Sequence, residues 1–325
     1  MDEPAGTGRS PIRENADISK PSHRVEIESF TPADGFDPLG HFSFDMKPPI
    51  PRPVPAVVGL TLTLALTLLG GLVGSGARAD ASPRERADPN SRIAHTQLVE
   101  KARQGGIDLY FLGDSITRRW GTKDPQYRDF LANWRTNFFG WNAGNFGWGG
   151  DTVQNVLWRI REGELDGVHP KVIVVLAGTN NLGGADATER AEELVEDVTG
   201  GIRAILRTIL EKAPGATVIL TGVFPRNDGR RGTRLIPLIR TINQRLATMT
   251  DGKKVRFVDL SDRLADREGR LVDGTTVDGL HLSVTGYQIW ADALKPHLIE
   301  LLGPRSARDH APPPTGDPGV RNGAQ

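Results

Sequence analysis

Four short stretches hold residue types that together can carry out acyl transfer. Ser115 follows Gly113 and Asp114 in "LGDSIT", Gly149, Gly150 and Asp151 sit in "GWGGDT", Gly178 to Asn181 form "GTNN", and Asp278 and His281 lie three apart in "VDGLHLS". The reaction needs a nucleophile, a base to take its proton, a group to orient the base and donors for the developing oxyanion. Ser115 can supply the nucleophile and His281 the base, while Asp278, on the same turn, can hold the imidazole Nδ1 proton. The Ser115 N–H, the Gly150 N–H, where no side chain blocks an oxygen, and the Asn180 carboxamide are the candidate oxyanion donors. Losing one such donor typically costs about 2.7 to 4 kcal/mol of transition-state stabilisation, so each assignment is open to test.

Taken singly, each stretch has a plainer use. Gly-Asp-Ser is a turn or helix-cap sequence, "GTNN" a turn, and His281 alone could be a half-buried histidine. Their joint occurrence is what points to chemistry. Asp114 and Asp151 read as caps and loop braces, and His169, beside Pro170, as structural at the opposite rim. His297 reads as a surface residue of the last helix. Trp148 is expected to line an acyl pocket, and Trp120, Trp134, Trp141, Trp158 and Trp290 to pack. The basic run 226–234 reads as a solvated loop.

The elements that must carry these residues alternate along the chain. Apolar runs at 107–113, 141–147, 171–178, 216–223 and 255–260 read as strands, three of them nearly continuous in Val, Ile and Leu, which suits strands covered on both faces. Helical patterns occupy 124–134, 151–162, 188–212, 233–249 and 283–302. Such alternation predicts an α/β fold, a parallel sheet with helices on both sides. Ligands of such sheets bind beyond the carboxyl ends of the strands, where three of the four stretches fall and where "DGLHLS" precedes the last helix.

In this order, "GDSIT", "NFGWGGDTVQNVLWRI", "GTNN" and "DGLHLS" resemble the blocks of the SGNH (GDSL-type) hydrolases over roughly 107–300. The stretch from Asn145 to Asn181 is especially similar to the catalytic subunits of the intracellular platelet-activating-factor acetylhydrolases. The resemblance implies a three-layer α/β/α sandwich of flavodoxin-like type with a five-stranded parallel sheet. It also implies Ser115 as nucleophile, Gly150 and Asn180 as oxyanion residues, Asp278 and His281 as the rest of the triad, and subunits that pair. Ile116 stands where the common motif has Leu, and Asn181 where many members carry Asp.

The remainder bounds the reading. The 325 residues carry 40 basic and 40 acidic side chains, giving no electrostatic reason to expect nucleic acid as partner. Without cysteine there is no disulfide, thiolate metal site or Cys nucleophile. No His or carboxylate cluster has metal spacing, no cofactor is expected, and neither a G-x-S-x-G elbow nor a phosphate-binding glycine loop is present. One domain is expected over 91–303, with disordered segments at 1–53 and 304–325. Residues 54–79, an apolar run to Val73 followed by Ala77-Arg78-Ala79, read as a signal peptide starting at Met46 and cleaved before Asp80, or else as a membrane anchor through 54–73. The expectation is a secreted or periplasmic serine esterase that removes a short acyl group, acetyl foremost, from a small-molecule or polysaccharide ester. The alternatives are a lysophospholipase or longer-chain lipase on the same triad, and a non-catalytic carbohydrate- or lipid-binding module.

Overall fold

The computed structural model describes residues 82–183, 187, 189–228 and 234–321. The segment 1–53 expected to be disordered, the expected signal segment 54–79 and the last residues, 322–325, lie outside the described residues.

Five strands, β1 (Leu109–Gly113), β2 (Ala143–Gly147), β3 (Val172–Leu176), β4 (Thr217–Thr221) and β5 (Val255–Val258), form one sheet in the order β2-β1-β3-β4-β5. Every pairing is parallel, with Leu109 beside both Ala143 and Val172. β1 and β3 are buried along their whole length, as central strands covered on both faces must be.

Side chains of a strand alternate between faces, and the core divides accordingly. Tyr110 and Leu112 point into one apolar layer, where α1 (Pro89–Gln104), α4 (Val153–Arg159), α5 (Ala191–Lys212) and α6 (Ile236–Ala247) pack. Leu109 and Phe111 point into the other, built with α2 (Ser115–Trp120), α3 (Arg128–Phe138), α7 (Ser261–Leu264) and α8 (Val284–Leu302). This second layer is aromatic: Trp120 lies 4.9 Å from both Tyr287 and Trp290, and Phe111 meets Trp134 at 4.6 Å. The result is the three-layer α/β/α arrangement, with the chain leaving β1 and β3 on either side of a crevice at the sheet's switch point.

Besides the short helices α2 and α7, which were not expected, two segments at the ends of the described body depart from expectation. Residues 89–104, for which no helix is expected, form α1, capped by Asp88, whose Oδ1 accepts from Ser91 N–H at 2.9 Å. The segment 304–321, expected to be disordered, is tied to the body by polar contacts rather than by apolar periodicity. Ser306 N–H donates to Gly140 O at 2.9 Å, Lys123 N–H to Thr315 O at 3.1 Å, and Asp317 N–H to Asp124 Oδ1 at 2.7 Å. Asn90 Nδ2 donates to Asp317 Oδ1 at 2.8 Å, joining this strap to α1.

Candidate active site

Ser115 stands at the point where β1 turns directly into α2. The turn works because Gly113 and Gly147 have no side chains: a Cβ at 113 would overlap Thr117 Oγ1 and Leu176 O, and one at 147 would overlap the Arg118 backbone. Asp114 caps α2, its Oδ1 accepting from Ile116 N–H at 2.9 Å. Its Oδ2 is buried without a partner among the described residues, and burial pushes the carboxyl up to about 7. The Ser115 N–H, at the first position of α2, has no intrahelical acceptor.

Opposite Ser115, residues 277–281 form a tight turn closed by Val277 N–H donating to His281 O at 2.9 Å. Gly279 adopts φ +79°, and a Cβ there would strike Asn227 Oδ1, so glycine is required. The turn presents Asp278 to His281 in two ways. Asp278 Oδ1 accepts from the His281 N–H at 2.7 Å, and Oδ2 lies 2.7 Å from His281 Nδ1. His281 Nε2 in turn lies 3.0 Å from Ser115 Oγ. An ionised carboxylate can only accept, so Nδ1 carries the proton and Nε2 offers its lone pair to the serine hydroxyl.

The electrostatics fit that protonation state. Burial lowers the His281 pKa, and Arg119 and Arg226 lower it further, outweighing Asp278. Burial works to raise the Asp278 pKa, but hydrogen bonds from His281 and Leu280 reverse it, leaving it below the usual carboxylate range.

The two remaining loops meet at one place. Gly150 has φ +78°, a region open to glycine, and its N–H has no partner among the described residues. Asn180 Nδ2 donates to Asp151 O at 2.9 Å, which sets its carboxamide beside the Gly150–Asp151 backbone and leaves its second N–H unused by that bond. Asn181, where many members of the resembling family carry Asp, takes a structural post: Oδ1 accepts from Val153 N–H at 3.0 Å, and Nδ2 reaches Gln154 at 3.0 Å and Asp197 at 2.7 Å.

Beneath the loops lies an ionic network that the sequence did not announce. Arg159 is buried at the end of α4; its Nε reaches Asp151 Oδ2 at 2.6 Å, and its other nitrogens reach Gly113 O at 3.0 Å, Phe146 O at 3.0 Å and Glu164. Burial opposes its charge, but Glu164 and Asp151 outweigh burial and hold its pKa above the usual value. One guanidinium thus ties together the ends of β1 and β2, from which the serine and glycine loops depart. Asp151 therefore acts as an ion-pair partner, not a helix cap; α4 is capped by Thr152 with Asn155.

Two further expectations are corrected. Trp148, expected to line an acyl pocket, is instead buried: its ring lies 4.8 Å from the Arg118 guanidinium, and its Nε1–H donates to Ser91 Oγ at 2.7 Å. Arg226, read as part of a solvated loop, is 5% exposed and donates to both Thr179 O and Oγ1 at 2.9 Å, bracing the "GTNN" turn. The guanidinium also pairs with Asp228 at 2.6 and 2.7 Å, but Thr179 lies 47 residues away, so no local pattern could have shown the brace. Among the described residues no cluster of three His, Cys, Asp or Glu side chains is placed to hold a metal ion.

Comparison with known proteins bears on the family and the fold. The chain is 32% identical over 225 residues to the platelet-activating factor acetylhydrolase IB subunit alpha1 of Bos taurus, covering 69% of this chain and 89% of that protein. It is 33% identical over 209 residues to the alpha2 subunit of Mus musculus, covering 64% and 83%. Among solved structures, a Bacteroides fragilis protein named as an acylhydrolase superposes with a TM-score of 0.52 at 22% identity, covering 67% of this chain and all of that one. A Streptococcus pneumonia protein named for platelet activating factor gives 0.50 at 24%, covering 64% and 92%. Those two likenesses speak for the fold alone. The GDSL-like lipase/acylhydrolase family model matches residues 111–289, more than half of the chain and a span that reaches from β1 past His281, and on that match the chain belongs to this family and is a carboxylic ester hydrolase.

Proposed function

We propose that the chain is an exported serine esterase that removes a short acyl group through an acyl-enzyme on Ser115. The observation that carries the reading is the unbroken line from Ser115 Oγ to His281 Nε2 at 3.0 Å and from Nδ1 to Asp278 at 2.7 Å. His281 takes the serine proton as Oγ attacks the ester carbonyl, returns it to the departing alcohol, and then deprotonates the water that releases the acid. Asp278 holds the imidazole tautomer throughout. The Ser115 N–H, the Gly150 N–H and the Asn180 amide receive the oxyanion.

Acetyl is the acyl group favoured, because the relatives in the comparison carry acetylhydrolase in their names. Export rests on the sequence pattern of 54–79, and an exported enzyme meets acetylated polysaccharide or soluble esters. Among the described residues no helix is long and apolar enough to cross a membrane.

Hydrolysis of p-nitrophenyl acetate, butyrate and octanoate by the protein and its Ser115→Ala variant tests the reading. Turnover should fall with chain length and drop at least about 10³-fold in the variant. Equal rates from the two proteins would remove Ser115 from the chemistry, and faster octanoate hydrolysis would replace the short-chain assignment by a longer-chain one.

A further inference from the structure

The arm that precedes α1 grips the glycine loop. Arg84 N–H donates to Gln154 O at 3.0 Å, Asn155 Nδ2 returns to Arg84 O at 2.8 Å, and Trp148 Nε1–H donates to Ser91 Oγ at 2.7 Å. Segment 84–91 thus holds residues 148–155 at both ends. Between these points lies Arg86. Its Nη1 donates to Gly149 O at 2.9 Å and faces Asp151 Oδ1 at 3.4 Å, and its Nη2 pairs with Asp88 Oδ2 at 3.1 Å. Asp88 spends its other oxygen on the start of α1, so the guanidinium is fixed by the helix, by the loop backbone and by a buried acid.

Gly149 O and Gly150 N–H belong to one peptide unit. In a trans peptide the carbonyl and the N–H point in opposite directions, so a bond that fixes the oxygen from one side also fixes where the N–H aims on the other. A Cβ at Gly149 would meet no atom within 4 Å, and two adjacent glycines give the backbone wide freedom. A cationic donor on the carbonyl also polarises the peptide, making its N–H the stronger donor.

We propose that Arg86 is a positioning residue of the oxyanion site, holding the Gly149–Gly150 peptide so that the Gly150 N–H faces the developing charge on the substrate. The proposal rests on reading Gly150 as an oxyanion donor. Arg86 touches no reacting atom; it acts through the peptide it binds.

The test uses the full chain with Arg86→Ala, Arg86→Gln and Arg86→Lys, read by p-nitrophenyl acetate kinetics, by the affinity for a phenylboronic acid and by Tm. A boronate on Ser115 is a tetrahedral anion and reports the oxyanion donors without turnover. Arg86→Ala and Arg86→Gln should lower kcat about 10-fold, less than the ~10²-fold or more of deleting a donor, with KM within about twofold. Boronate affinity should fall by a similar factor. Lys, whose ammonium can still donate to Gly149 O, should restore most of both. Wild-type kcat in Arg86→Ala overturns the proposal, and so does a loss that tracks a lowered Tm and is not restored by Lys. If Ser115→Ala keeps its activity, the reading of the site fails first, and that result is separable from any effect of Arg86.

Discussion

Burial lowers the pKa of His281, and Arg119 adds to that effect. Its guanidinium lies 3.6 Å from Asp278 Oδ2, and its charge, added to burial, disfavours the imidazolium. As the proposed general base, His281 must be neutral to act, so the acid limb of kcat/KM should fall below the ordinary imidazole value of about 6.5. Arg119→Ala removes a charge that opposes protonation and releases Asp278 to favour it; both changes raise the His281 pKa. The acid limb should move to higher pH, visible in a profile of kcat/KM from pH 5 to 9. An unmoved or down-shifted limb would show that Arg119 exerts no field on His281. At this scale the sequence was legible wherever partners are local. Asp278 and His281 share one turn, and together with Ser115 they were picked from motifs that the fold brings within hydrogen-bond reach. Arg86, Arg159 and Arg226 were invisible, because the backbone carbonyls they hold lie 63, 46 and 47 residues away.

Among the elements, the five strands and α3, α4, α5, α6 and α8 follow the apolar pattern, since each buries a face whose period shows in the sequence, while the short α2 and α7 were not expected. Helix α1 does not. Its inward side includes Ser91 and Lys101 beside Ala94, Leu98 and Ala102, so polar residues interrupt the stripe by which an amphipathic helix is recognised. Lys101 explains the interruption: its Nζ donates to Asn145 O at 3.0 Å and lies 5.2 Å from the Phe146 ring, tying α1 to β2, an edge strand of the sheet. Burial pushes this amine down to about 7. Below that value it is charged in both folded and unfolded chains. Between about 7 and 10.4 the unfolded chain holds a proton that the folded one has shed, so the wild-type stability should rise with pH across that window. Lys101→Met abolishes the titration. Relative to wild type it should therefore stand best near pH 6 to 7 and lose ground by pH 10, by an amount on the order of a few kcal/mol, as read by urea unfolding at the two pH values. A pH-independent difference would mean that the amine does not change protonation on folding.

For the molecule as a whole, the family match ends at residue 289, yet the folded body continues into the strap. Composition made 304–321 look disordered because it is rich in Pro, Gly and charged residues; what orders it is a set of hydrogen bonds to distant residues. Asp309 Oδ2 accepts from Gly140 N–H at 2.8 Å, Asn142 Oδ1 from His310 N–H at 2.7 Å, and Thr315 O from Thr122 Oγ1 at 3.1 Å. Ending the chain at Gly303 should lower Tm by several degrees, since each kcal/mol lost shifts a body of this size by roughly 2–4 °C. An unchanged Tm would show that the strap adds nothing to stability. The strap also ends where α1 starts: Asp317 is held by Asn90 at 2.8 Å and faces Arg118 at 3.3 Å. The covalent gap between the two ends is thus already bridged by side chains. The body is topologically near to a ring, and a short glycine-rich linker could close it while new ends were opened in a surface turn elsewhere, giving a circularly permuted esterase with both the arm and the strap in place.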